Sequence, residues 1–186
     1  ARARGNYLMF LDDDDLLFPD HVETLIIAML NAASDAAYSL AWEVPTLMYD
    51  RNSPDYSESE YRVPPTCHQP FDRNLLTRIN YMPIQSVVFR RSLFEALGGF
   101  DEDLDALEDW VLWKKFAADT DFLYVPKLTS LYRVPRLERD QVQRQGWLDS
   151  YYAVAEARYR EALLKPADHE SSDRSDARLS RQTQGH

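Results

Sequence analysis

The feature of this sequence that most limits its fold is a short apolar run that ends directly in four aspartates. Residues 6–11 read NYLMFL, which predicts a buried β-strand. Residues 12–15 are all aspartate, and Pro19 with an acid beside it indicates the start of a helix. The acids are therefore expected in a strand-to-helix loop, at the carboxyl end of a strand, where ligands bind in open α/β sheets.

The rest of the chain alternates predicted helices and strands, as an α/β protein does. Helices are predicted over 22–30, 71–79, 92–97, 110–118 and 141–164, and strands over 37–44, 47–49, 86–89, 122–125 and 128–132. Pro45 and Pro126 are expected to divide two pairs of short strands, and the pair around Pro45 is expected to hydrogen-bond together. Ser92 with Glu95 matches a capping box, and Gly98 is expected to end that helix.

Composition excludes several classes of protein. The 186 residues carry 31 acidic and 21 basic side chains, a net charge of −10, without a basic stripe, so nucleic-acid binding is not expected. The five glycines cannot form GxxxxGK[ST] or GxGxxG, and the four histidines lack zinc-site spacing. The single cysteine favours a reducing compartment, so a cytoplasmic location is expected. No apolar run approaches the roughly 20 residues of a membrane span, although association with a membrane surface is compatible with the sequence.

A second acidic cluster, residues 101–109, holds six acids in nine positions. It does not fit an EF-hand calcium loop, because Ala106 and Leu112 stand where that loop needs glycine and a bidentate glutamate. Glu108 and Asp109 begin a predicted helix, where the dipole favours negative charge and is expected to lower their pKa values. They are either helix-capping residues or a proton acceptor for a hydroxyl.

Together these motifs resemble the family 2 glycosyltransferases of the GT-A fold. The similar segments are 5–15 (GNYLMFLDDDD), 86–102 (SVVFRRSLFEALGGFDE), 108–113 (EDWVLW) and 132–133 (YR). The resemblance implies an α/β fold class, a partial GT-A mixed sheet flanked by helices. We expect the glycosyltransferase domain over 1–135, a C-terminal helical extension over 136–166, and a polar, disordered tail over 167–186.

The resemblance assigns donor binding to the first acidic cluster. Asp14 would hold a Mg²⁺ or Mn²⁺ ion on the diphosphate of a nucleotide-sugar donor. Asp12 or Asp13 would help at the metal or at the ribose. Gly98 and Gly99 would let the backbone pass close to the sugars, since no side chain intrudes there.

The resemblance assigns acceptor chemistry to the second cluster. Asp109 would be the general base, and Glu108 would help to position a saccharide or other hydroxyl acceptor. The implied activity is inverting, metal-dependent glycosyl transfer of the kind used in polysaccharide biosynthesis.

The sequence departs from the family pattern in two places. The strand–helix half that grips the nucleotide base would lie before Ala1, so this stretch is expected to lack most of the donor-binding surface and to be inactive or nearly so. Many relatives carry a histidine soon after the Tyr-Arg pair, whereas residues 134–136 here read VPR. A metal or phosphate contact from that position is therefore not supported.

Two other functions are compatible with the residues. Asp12 and Asp14 after an apolar strand also resemble haloacid-dehalogenase-like phosphatases, in which the first aspartate is a nucleophile and the second a general acid. That pattern wants Thr or Val where Leu16 stands, and it leaves residues 98–113 unexplained. The other alternative is an acidic, non-catalytic module that binds a partner or a cation.

Overall fold

The computed structural model describes residues 3–49 and 55–164. The strands are Tyr7–Leu8 (β1), Leu16–Leu17 (β2), Ala36–Met48 (β3), Tyr56–Glu58 (β4), Val87–Arg90 (β5) and Phe122–Pro135 (β6). The helices are His21–Ala32 (α1), Arg73–Leu76 (α2), Arg91–Ala96 (α3), Glu108–Asp119 (α4) and Glu138–Leu164 (α5). The tail predicted at 167–186 lies outside the described residues.

The strands form one mixed sheet in the order β1-β5-β3-β6-β2, and β4 pairs with β3 as well. β3 and β6 run parallel, from Ala36 opposite Phe122 to Thr46 opposite Pro135, while the other pairs are antiparallel. The mixed sheet with flanking helices confirms the predicted fold class.

β3 and β6 are each longer than the sequence predicts. Pro45 lies inside β3, so Leu47 extends that strand and does not form a partner for it. Pro126 lies inside β6, where the register against β3 shifts between Ser39 and Ala41. The predicted break at Pro126 is wrong because a bulge removes the proline from the hydrogen-bond ladder without ending the strand.

The turn around α3 corrects one prediction and confirms another. The capping box is wrong, since no side chain caps α3, and Glu95 instead lies 3.5 Å from Arg91. The predicted end at Gly98 is confirmed: Gly98 and Gly99 have φ of +79° and +69°. The Gly99 amide donates to the carbonyl of Phe94 over 3.1 Å, which closes the helix end.

Helices cover both faces of the sheet. Side chains alternate along β5, so that Val87 and Phe89 pack on the α4 face, whereas Val88 packs against Leu25 and Met29 of α1. The α4 face is dominated by fully buried aromatic side chains, namely Tyr38, Tyr81, Phe89, Trp110, Trp113 and Phe116. This packing fixes the position of α4, whose first turn carries Glu108 and Asp109, the last two acids of the second cluster.

α5 packs by its second half on α4. The Lys114 ammonium of α4 is buried, forms an ion pair with Glu156, and lies 4.0 Å from the ring centroid of Trp110. α5 continues through Gly146, which does not interrupt the helix as the sequence suggested. Within the described residues, none of the helices has the length and apolarity to span a bilayer.

Candidate active site

A cleft of about 540 Å³ brings the two acidic clusters together. The acids that line it are Asp12, Asp14, Asp15, Glu43, Asp105, Glu108 and Asp109. The two basic side chains on its walls are Arg133, from β6, and Arg144, from α5. Asp12 and Asp109, far apart in the sequence, therefore face one hollow.

The first cluster is crowded and short of positive charge. Loss of hydration, followed by the charges of Asp14 and Asp13, raises the pKa of Asp12. Asp15 is 8% exposed, and burial, with Asp14 and Asp12 next in effect, raises its pKa to about 7. Asp13 is exposed and is not among the described residues that line the cleft. Carboxylates arranged in this way favour a proton or a cation between them.

Asp109 is held in the first turn of α4. Its Oδ2 accepts a hydrogen bond from Asn80 Nδ2, and its Oδ1 accepts one from the Trp110 amide, both over 2.7 Å. Leu107, immediately before the helix, has φ of +63°, which turns the chain sharply into α4. Burial, followed by the charge of Glu108, raises the pKa of Asp109 to about 6. The expectation of a lowered pKa is wrong for Asp109, because burial and the charge of Glu108 raise this pKa by more than the hydrogen bonds from Asn80 and the Trp110 amide lower it.

The two clusters also interact electrostatically. The charge of Asp12 adds to the effects that raise the pKa of Asp109. An ionised group at one end of the cleft thus disfavours ionisation at the other end, and a bound cation near Asp12 would remove that penalty.

Gly98 and Gly99 do not line the described cleft. Their positive φ angles already account for glycine at both positions. A Cβ atom on Gly99 would also come within 2.8 Å of the Phe94 ring, whereas one on Gly98 would meet open space. The described structure therefore explains these glycines by the turn after α3, and their predicted closeness to the sugars finds no support in it.

A polar wall from β3 and β6 completes one side of the cleft. The Tyr132 hydroxyl donates to Glu43 over 2.9 Å. Arg133 forms an ion pair with Glu58 at 2.7 Å and also donates to the backbone carbonyl of Asp14. Arg133 therefore links the first acidic loop to β4. The Tyr-Arg motif in the sequence does not predict this role.

Four further cleft residues carry no motif in the sequence. Asn80 follows α2 and fixes Asp109, and Gln85 is fully buried with neither amide atom hydrogen-bonded within the described structure. Arg144 and Trp147 lie three residues apart on α5, a spacing that places them on one helix face. The sequence therefore indicates that Arg144 and Trp147 share a helix face, but it does not indicate that this turn of α5 lies at the cleft.

The carboxylates of the cleft suit a divalent cation only when another molecule supplies part of its coordination. Among the described residues, no three His, Cys, Asp or Glu side chains gather into a metal site. Asp12 and Asp14 offer carboxylates from two residues, which is what Mg²⁺ commonly takes from a protein when substrate phosphates complete its coordination. The residues fit a cation that arrives with a diphosphate better than a cation bound alone.

Comparison with known proteins identifies the family. A family model described as glycosyltransferase like family 2 matches residues 1–157. The chain belongs to this family. The match covers both acidic clusters of the glycosyltransferase chain and the part of α5 that meets the cleft. No curated protein matches its sequence.

Two solved structures share the fold of this glycosyltransferase chain. The crystal structure of S. aureus TarS 1–349 is 13% identical with a TM-score of 0.51, and the match covers 71% of this chain and 37% of TarS 1–349. The same TarS segment in complex with UDP-GlcNAc is 13% identical with a TM-score of 0.52, covering 75% and 38%. The glycosyltransferase chain thus spans less than two-fifths of the length of these structures.

Proposed function

We propose that this chain carries the acidic catalytic cleft of an inverting, metal-dependent glycosyltransferase that uses a nucleotide-diphosphate sugar as donor. The observation that carries the proposal is that Asp12, Asp14, Glu108 and Asp109 line one cleft. Family membership and the fold shared with TarS, which binds UDP-GlcNAc in one crystal structure, support the same activity. The chain spans only part of such structures, so we propose that it is inactive or nearly so by itself.

Asp12 and Asp14 are the residues that would hold Mg²⁺ or Mn²⁺ against the donor diphosphate. A bound cation supplies Lewis-acid stabilisation of the leaving diphosphate. The raised pKa of Asp12 supports this assignment, because a cation removes the repulsion from Asp14 and Asp13 that contributes to it. Arg133 orients the loop by donating to the backbone of Asp14.

Asp109 is the proposed general base. It takes the proton of the acceptor hydroxyl while the hydroxyl oxygen forms a bond to the anomeric carbon of the donor. The bond from that carbon to the diphosphate oxygen breaks, and its electron pair leaves on the diphosphate. A single displacement inverts the anomeric carbon. A pKa of about 6 leaves Asp109 ionised at neutral pH and still basic enough to accept a proton.

The two alternatives explain less of the cleft. The phosphatase alternative uses Asp12 and Asp14 alone and leaves Glu108 and Asp109 without a role. A cation-binding module would need a site that holds the metal without a nucleotide, and no such group occurs among the described residues.

Calorimetry of Mn²⁺ binding to an enzyme that contains this chain, with and without UDP-GlcNAc, tests the proposal. Mn²⁺ should bind at least about tenfold more tightly with UDP-GlcNAc present, since the diphosphate supplies missing ligands. Asp14→Asn should abolish this enhancement, whereas Asp119→Asn, which removes an exposed carboxylate at the far end of α4, should preserve it. Mn²⁺ binding that is indifferent to UDP-GlcNAc would support the non-catalytic module, and hydrolysis of an aryl phosphate would support the phosphatase.

A further inference from the structure

α5 is anchored through its second half, whereas its first half is mostly uncovered and contacts the end of β6 through Gln141, which donates to the Pro135 carbonyl. In its second half Ala155 is fully buried against Val111 and Leu104, and Arg158 pairs with Asp103 over 3.1 Å. Residues 141–147 of the first half are all exposed. Even so, this half contributes to the wall of the cleft. A rigid helix therefore presents a largely uncovered surface to the site.

Trp147 is the large apolar side chain on this surface. It lines the cleft and is 46% exposed. Its ring packs edge-on against Tyr151, with 5.6 Å between centroids, and the Tyr151 hydroxyl donates to Asp105 over 3.0 Å. Because Asp105 lies in the second acidic cluster, this chain of contacts ties the indole to the segment that leads into Asp109.

Arg144 lies one turn before Trp147 on the same face. It lines the cleft, and none of the described residues forms an ion pair or hydrogen bond with it. Its guanidinium is thus free to donate to oxygen atoms of a bound molecule. An aromatic face beside a planar set of donors matches a molecule with an apolar face and an oxygen-rich edge.

We propose that the first half of α5 is the acceptor-binding wall and that the acceptor is a carbohydrate. The sugar ring lies on the Trp147 indole, and its oxygens accept hydrogen bonds from Arg144, while the reacting hydroxyl points toward Asp109. This inference rests on the proposed glycosyltransferase function and adds to it a substrate class and two specificity-determining residues. A lipid acceptor does not fit, because acids and arginines interrupt the apolar surface of the cleft.

Carbohydrate binding can be measured separately from donor binding. The probes are methyl glycosides of glucose, galactose, mannose and N-acetylglucosamine, added to an enzyme that contains this chain and holds UDP and Mn²⁺. The readout is the NMR signal of the Trp147 indole N–H, assigned from its loss in Trp147→Phe. At least one glycoside should shift this signal in a saturable manner.

Variants then show whether glycoside binding depends on the aromatic ring at position 147 or is altered by any substitution in this half of α5. The affinities of the variants are measured by isothermal titration calorimetry, because the two Trp147 variants lack the indole signal. Trp147→Ala should weaken glycoside binding at least about tenfold, Trp147→Phe should retain most of it, and Arg144→Gln should weaken it several-fold. Val142→Ala is the matched control, since Val142 is 66% exposed on the same half-helix and does not line the described cleft. UDP binding should be unchanged in all four variants.

Two results overturn the inference. The first is that no glycoside in the panel shifts the Trp147 signal of the wild type. The second is that Trp147→Ala binds glycosides as tightly as the wild type does. Failure of the proposed function is distinct from both, because it appears as absent UDP and Mn²⁺ coupling before any glycoside is added.

Discussion

Asn80 holds Asp109 through a hydrogen bond of 2.7 Å from its side-chain amide to Oδ2 of the carboxylate. This contact joins the segment after α2 to the first turn of α4. It favours the ionised carboxylate, whereas burial and the charge of Glu108 disfavour it. The basicity of Asp109 therefore depends on its burial and on two neighbours, Asn80 and Glu108, each of which can be altered.

Asp109→Asn should remove most of the glycosyl transfer in an active enzyme that contains this chain. The amide cannot accept the acceptor proton, and the expected loss in kcat is about 10²- to 10⁴-fold. The affinity for UDP-GlcNAc should change little. Asp119→Asn, which removes an exposed carboxylate at the other end of α4, is the matched control. Full turnover by Asp109→Asn would exclude Asp109 as the base.

The pH dependence of transfer should follow the ionisation of Asp109. A base works when deprotonated, so the rate should fall as the pH drops through about 6. Glu108→Gln removes a charge that raises the pKa of Asp109, so its acidic limb should move to lower pH. Asn80→Ala removes a hydrogen bond that lowers the pKa, so its limb should move to higher pH. If the acidic limbs of the two pH–rate profiles moved in the same direction, a group other than Asp109 would control the rate.

Three glycines should respond differently to alanine. Gly99→Ala adds a Cβ atom 2.8 Å from the Phe94 ring at φ +69°, and should destabilise the fold by about 2–3 kcal/mol. Gly98→Ala at φ +79° meets open space and should cost about 1 kcal/mol. Gly146→Ala inside α5 should stabilise the fold by up to about 1 kcal/mol. Urea unfolding measures all three, and equal losses at Gly98 and Gly99 would contradict the packing argument.

The Lys114–Glu156 pair should stabilise the joint between α4 and α5. Glu156→Gln leaves a buried ammonium without its counter-ion and should cost about 3 kcal/mol, as when one partner of a buried pair is removed. Glu161→Gln, which breaks the exposed contact with Arg158, should cost less than about 1 kcal/mol. Similar losses in thermal unfolding for both variants would mean that burial of Lys114 has little effect.

Much of the fold followed from patterns within single segments. The period of apolar residues predicted α1, α4 and α5, and four motif segments in the right order resembled one family. The continuity of β3 and β6 did not follow, because a proline either ends a strand or lies within it, as Pro45 does in register and Pro126 does at a bulge. Only the packed sheet determines which of these occurs.

The sequence predicted four of the acidic residues that line the cleft, but it did not predict the residues that form the walls around them. Asp12, Asp14, Glu108 and Asp109 carry motifs, and the structure brings them to one cleft. The direction of the Asp109 pKa shift was not predictable, because it depends on burial by residues remote in the sequence. The positions of Arg144 and Trp147 at the cleft were not predictable either, because the packing of α5 on α4 determines which turn of α5 reaches the cleft.

The way α5 attaches to α4 allows the proposed acceptor-binding residues to vary while the helix stays in place. Its anchoring contacts lie in the second half of the helix, at Tyr151, Ala155, Glu156 and Arg158. Apart from Gln141, which donates to the Pro135 carbonyl, the exposed residues of the first half can therefore change without disturbing these anchoring contacts. A library randomised at a few positions between residues 138 and 150 should yield stably folded members with altered sugar preference.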